Sequence, residues 1–142
     1  MRRARPLLGT FVEIRSSGAT RAATERAIDA AFAAIESVHR LMSFHDGGSD
    51  VGRLNREAHD RAVAVDPWTY RVLETALDLH RRSGGVFDIA VAPALQRLGL
   101  LPGRPEDVEP VLGETATSAA IELLPRHRVR FHHPAQRLIS AA

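Results

Sequence analysis

The stretch Ser83-Gly84-Gly85-Val86-Phe87-Asp88-Ile89 decides how this sequence is read. It predicts a helix that stops at two glycines and passes at once into an extended segment, Val86–Val91, with one acid between apolar neighbours. An aspartate in that setting has to be hydrogen-bonded, ion-paired or turned toward a ligand. The helix before it is well marked. Asp66-Pro67 joins an N-cap acceptor to a proline in the first helical position. Trp68, Val72, Ala76 and Leu79 follow as an apolar stripe joined by Leu73 and Leu77. Arg81 and Arg82 fall where the helix dipole favours cations.

Upstream, Leu7 to Arg15 predicts a first strand, with Phe11, Glu13 and Arg15 on one face and Val12 and Ile14 on the other. Gly9 within it suggests close approach by another backbone or a ligand. From about Thr20 to Met42 the period becomes helical: Ala27, Ala31, Ile35, Val38 and Met42 form the stripe, widened by Ile28 and Phe32. Ser49 or Asp50 caps a short helix running to about Ala58, and Ala62–Val65 reads as a short strand. Downstream, Pro93 to Leu98 reads as a short helix. Leu101 to Glu114 is a Pro- and Gly-rich loop with one helical turn around Asp107–Leu112. Ile121–Leu124 and Arg128–Phe131 read as strands joined tightly at Pro125–His127, and Leu138-Ile139 begins another extended piece. The order β-α-α-β-α-β with further strands predicts a mixed α+β domain.

Composition narrows function mainly by exclusion. The 142 residues suit one domain with a modest core. With no cysteine, disulfide scaffolds, thiolate metal sites and thiol nucleophiles are ruled out. No apolar run approaches a membrane span, and Arg5, Glu13 and Arg15 interrupt what would have to be a signal-peptide core. Every basic residue is arginine, 19 against 17 acids, for a net charge of +2. The arginines are interleaved with acids rather than gathered into a stripe with aromatics, so nucleic acid is not expected as a partner. The seven histidines, His39, His45, His59, His80, His127, His132 and His133, show no His-Glu-x-x-His spacing. His132 and His133 in a strand would face opposite ways. No nucleophile elbow, Walker loop or dinucleotide fingerprint is present.

Three segments remain unusual: Leu8-Gly9-Thr10; Ser43-Phe44-His45 with the following Ser49-Asp50-Val51-Gly52-Arg53-Leu54-Asn55; and Ser83 through Val91-Ala92-Pro93-Ala94-Leu95. Singly, each could be an ordinary strand kink, helix cap or helix-to-strand turn. Together, in this order and spacing, they resemble the ApbE family of flavin transferases. That family has Met-Gly-Thr at the end of its opening strand, a Ser-x-Tyr turn, a Ser-x-Leu-x-x-Leu-Asn stretch and a Ser-Gly-Ala-Phe-Asp-Ile-Thr-Val-x-Pro-Leu segment. Gln96-Arg97-Leu98-Gly99 sits where the family often has Leu-Trp-Gly. The resemblance covers nearly the whole chain, and the Gly-x-Phe-Asp-Ile segment is its most specific part.

The resemblance implies a T-fold-like, mixed sheet with packed helices, and an FAD:protein FMN transferase reaction. FMN would move from FAD to a Thr hydroxyl of a target flavoprotein, AMP would leave, and Mg²⁺ would assist. It implies flavin contacts at Leu8, His45, Val86, Phe87 and Asp88. Leu8 stands in place of Met, a near volume-conserving change. His45 stands in place of Tyr, a smaller ring that can still stack or hydrogen-bond. Ser49 and Asn55 are expected to stabilise loops. The family's later Gly-rich turn, its Ser-His-x-x-Asp-Pro segment and its distal Asp/Thr metal pair have no counterpart. Residues 1–142 are therefore expected to be the N-terminal part of such a domain, inactive alone, with no metal ligand or catalytic base assignable. The alternatives are a degenerate flavin-binding or interaction module without transferase activity, and a generic α+β structural domain. Without a visible signal peptide the cytoplasm is expected, although many relatives are exported or lipid-anchored.

Overall fold

Leu8 and Gly9 divide the expected first strand into a hairpin. In the computed structural model, which describes residues 1–18, 20–101, 117–134 and 136–139, β1 (Arg2–Leu7) pairs antiparallel with β2 (Thr10–Arg15), Leu7 opposite Thr10. Leu8 and Gly9 both have positive φ, 55° and 69°, as a two-residue hairpin turn of type I′ requires. No heavy atom lies within 4 Å of where a Gly9 Cβ would sit. The glycine thus answers the turn's backbone demand, and among the described residues no other backbone closes on it.

The sequence conceals β1 because its inward positions include arginines. Arg3 and Arg5 reach across α1 (Arg21–Met42) to Asp29 and Glu36 at 2.8 and 3.1 Å, and the Arg5 guanidinium lies 4.5 Å from the Phe32 ring centroid. Their aliphatic stems do the covering that apolar side chains do elsewhere. In β2 the expected faces hold, with Val12 and Ile14 half-buried and Phe11, Glu13 and Arg15 exposed.

α1 begins at Thr20, whose side chain accepts from the Ala23 amide. Its buried line is Thr24, Ile28, Phe32 and Met42, while Ala27 is exposed. The stripe is therefore centred on Ile28 and Phe32, the residues expected only to widen it, because the hairpin packs against that side.

α2 (Asp50–Glu57) is capped by Ser49, which accepts from the Gly52 amide at 2.9 Å and donates to the Ser43 carbonyl at 2.6 Å. A Cβ on Gly52 would sit 2.4 Å from the Asp46 carbonyl oxygen, so this helix starts hard against the preceding loop. β3 (Val63–Ala64) leads to α3 (Pro67–Arg82), capped by Asp66, and then to α4 (Ala92–Arg97). A single 3-10 turn at Ser118–Ala120 precedes β4 (Ile121–Leu124) and β5 (Arg128–Phe131). These strands form an antiparallel sheet in the order β3-β5-β4, with Val129 opposite both Val63 and Leu123.

The main core gathers Met42, Val51, Leu54, Ala58, Leu73, Leu77 and Leu138 against Val63, Ile121, Val129 and Phe131. On α3 the buried residues are Thr69, Leu73, Ala76 and Leu77. Trp68, Val72 and Leu79, expected to lead the buried stripe, are exposed, and the residues expected to join it carry the packing.

Two further expectations change. Residues 86–91 form no strand, because their amides bond to side chains: Phe87 to Ser83 Oγ, Ile89 to Ser118 Oγ and Ala90 to Asp88 Oδ1. Such local bonds compete with a sheet ladder. Leu138 is clamped not by a strand but by the Asn55 amide, which donates to its carbonyl at 3.1 Å and accepts from its amide at 2.8 Å. β5 spans Arg128–Phe131 as expected, and beyond it His132 Nε2 lies 2.8 Å from Glu122 Oε2. The helical turn expected around Asp107–Leu112 lies outside the described residues.

Candidate functional site

The end of α3 is built to project a short turn. Gly84 donates to the Arg81 carbonyl at 3.2 Å and Gly85 to the His80 carbonyl at 2.9 Å, the two bonds of a Schellman ending. Ser83 Oγ donates to the His80 carbonyl at 3.2 Å and accepts from the Phe87 amide at 2.9 Å. The chain is thereby reversed and held within four residues of the helix end.

Asp88 locks the far side of the turn. Its Oδ1 accepts from the Ala90 amide at 2.7 Å, from Ser118 Oγ at 2.7 Å and from the Ser118 amide at 3.1 Å. His80 Nδ1 lies 3.5 Å from Oδ2, with the two side chains 15% and 14% exposed respectively. Bonds to an ionised acceptor are among the stronger ones in proteins, and Ser118 is buried. The carboxylate therefore serves this turn as a structural tie across 30 residues.

Between these two fixings, Val86 is 89% exposed and Phe87 42% exposed. The anchored turn thus holds two apolar side chains outward. Phe87 and Ile89 also line an open groove of about 530 Å³ together with Val38 and Met42 of α1 and Trp68, Val72, Ala76 and Leu79 of α3. The groove wall is mainly apolar, with Arg71 and Thr75 also among its lining residues. A largely apolar wall with a few polar groups matches what ring-bearing ligands need.

The other two expected contacts lie on other loops. Leu8 is half-buried in the hairpin turn. His45 is exposed and meets Phe44 edge-to-face at 5.5 Å between centroids. Among the described residues, no hydrogen bond, ion pair or ring contact joins either to Val86–Asp88. Ser49 and Asn55 are engaged in the cap and the Leu138 clamp described above.

Two members of the site were not singled out from sequence. Ser118 lies 30 residues beyond Asp88, and nothing local announces the pairing. His80 was legible in principle, since a Schellman ending brings that carbonyl against Gly85 and so places the ring beside the turn. Ser118, His80 and Asp88 have the composition of a nucleophilic triad but not its connectivity. Ser118 Oγ donates to the carboxylate and accepts from Ile89, while His80 Nδ1 donates to the Phe87 carbonyl at 2.8 Å. A base bonded to the nucleophile, which such chemistry requires, is absent among the described residues. Nor do the described residues offer a group of three or more His, Asp or Glu side chains able to hold a metal ion. No described helix is long and apolar enough to cross a membrane.

A sequence model of the ApbE family matches residues 8–140. Among solved structures, the ApbE protein from Thermotoga maritima is similar over 97% of this chain and 46% of its own, with a TM-score of 0.79 at 22% identity. The apo form of the Pseudomonas stutzeri flavinyl transferase ApbE gives 0.75 at 17% identity, over 97% of this chain and 45% of its own. The flavin transferase ApbE from Vibrio cholerae gives 0.71 at 19% identity, over 97% and 47%. This chain thus spans about half the length of these structures, which at such identities show the fold. No curated protein matches the chain.

Proposed function

The chain belongs to the ApbE family, and from that premise we propose that it supplies a flavin-positioning surface for the transfer of FMN from FAD to a Thr hydroxyl of a target flavoprotein, with release of AMP. The observation that carries this is the anchored turn at Val86–Asp88, which holds two apolar side chains outward beside an apolar groove. The proposed contacts are Val86 and Phe87 against the ring system, with Asp88 holding the turn, and Leu8 and His45 contributing from their own loops.

In such a transfer the Thr oxygen forms a bond to the FMN-side phosphorus of FAD. The bridging P–O bond breaks with its electron pair staying on AMP, and the hydroxyl proton is lost to a base. Little covalent work falls to the protein in phosphoryl-type transfer, and positioning counts for much. The residues of this chain would bind and orient the flavin end so that the diphosphate is presented to the incoming oxygen. Among the described residues there is no group of three or more His, Asp or Glu side chains that could hold the Mg²⁺ the resemblance implies. We read the 142-residue chain as unable to complete the transfer by itself.

The alternative function is a flavin-binding or interaction module without transferase activity. A chimera separates the two. When this chain replaces the matching half of the Pseudomonas stutzeri transferase, it is expected to leave covalent flavin fluorescence on a Thr-bearing acceptor in a denaturing gel. A folded chimera that binds FAD without transferring it would support the alternative. One that does not bind FAD would contradict flavin positioning and leave only an interaction module.

A further inference from the structure

His80 lies where the last turn of α3 meets the projecting turn. Its Nδ1 is 2.8 Å from the Phe87 carbonyl oxygen. A carbonyl can only accept, so this nitrogen carries the proton. The same nitrogen is 3.5 Å from Asp88 Oδ2. The ring lies against Gly85, with Cε1 3.6 Å from where a Cβ on that glycine would sit, and the side chain is mostly buried. One imidazole thus touches Gly85, Phe87 and Asp88, and its own main-chain carbonyl takes the Gly85 amide and the Ser83 hydroxyl.

We propose that His80 is a positioning residue for the flavin-binding turn, its Nδ1–H fixing the Phe87 peptide so that the Val86 and Phe87 side chains present a preformed apolar surface. The Phe87 amide is held by Ser83 Oγ and the Phe87 carbonyl by His80, so both polar groups of this residue's backbone are bound by side chains. Without the imidazole the carbonyl loses that partner and the following peptide can rotate, carrying the ring with it. A surface ordered beforehand spares the ligand the cost of ordering it. The functional consequence rests on the flavin reading above, whereas the clamp itself does not.

The test uses the 142-residue chain and three variants. In His80→Asn the side-chain NH₂ stands about where Nδ1 stands, in His80→Gln the corresponding group lies one bond farther out, and His80→Ala removes both. His80→Ala is expected to speed hydrogen exchange at the Phe87 and Ile89 amides and to raise the Kd for FAD about tenfold, the scale of one lost hydrogen bond. His80→Asn should restore both to within about twofold, and His80→Gln should not. Thermal melts identify any variant that fails to fold, in which case the Asn–Gln comparison decides. Wild-type exchange rates in His80→Ala, or equal behaviour of Asn and Gln, would overturn the positioning role. If wild-type chain binds no FAD while the exchange pattern holds, the clamp stands and the flavin reading fails.

Discussion

Asp88 shows how one side chain does two kinds of work. An acid between apolar neighbours suggests a ligand contact, yet its carboxylate is already occupied by the Ala90 amide and by the amide and hydroxyl of Ser118. Its part in flavin binding is then to hold Val86 and Phe87 outward. Asp88→Asn keeps the shape but sets an NH₂ group among donors. It is expected to lower stability by about 1–3 kcal/mol, measured by urea unfolding, and Ser118→Ala in the same background should add less than it does alone. Independent, fully additive effects would mean that the two residues are not coupled. From sequence the acid could be recognised as needing a partner. The partner could not, because only the tertiary fold brings residue 118 to it.

At the scale of elements, what the sequence displayed was signalled by local chemistry. Asp66-Pro67 announced one helix, Ser49 or Asp50 announced another, and Arg128–Phe131 read as a strand. What it concealed depended on neighbours. β1 was hidden because arginines cover α1 in place of apolar residues, and the phase of α1 was displaced because the hairpin chooses which face is covered. Val86–Val91 has strand-like composition, but side chains take its amides. Asn55 is the complementary case, a polar side chain acting as a strand partner for Leu138 across 83 residues. Asn55→Ala removes both bonds and is expected to cost about 1–3 kcal/mol. Hydrogen exchange at Leu138 and Ile139 should accelerate more than at Val129. Uniform acceleration would show that the clamp has no local role.

At the scale of the whole molecule, the feature left over is the apolar face on which Trp68, Val72 and Leu79 stand exposed beside Phe87. A face of this kind signals a binding surface rather than a core. Val72→Glu is expected to shift stability by no more than about 0.5 kcal/mol while reducing the binding of anilinonaphthalene sulfonate. A large loss of stability would show that the face is core after all. The helix carrying it was legible from its period and caps, but which of its two apolar lines is buried was not, since Leu73 and Leu77 meet the sheet and Trp68 and Val72 do not.

Trp68 also provides the most direct test of the central claim, because it is the single tryptophan of the chain and lines the groove beside Phe87. FAD bound at the Val86–Asp88 turn should quench its emission along a saturating curve, and Phe87→Ala should raise the half-saturation concentration about tenfold, the scale of one lost apolar contact. Quenching that rises linearly without saturation, and equally in the wild type and Phe87→Ala, would contradict the assignment of this turn as a flavin-binding surface.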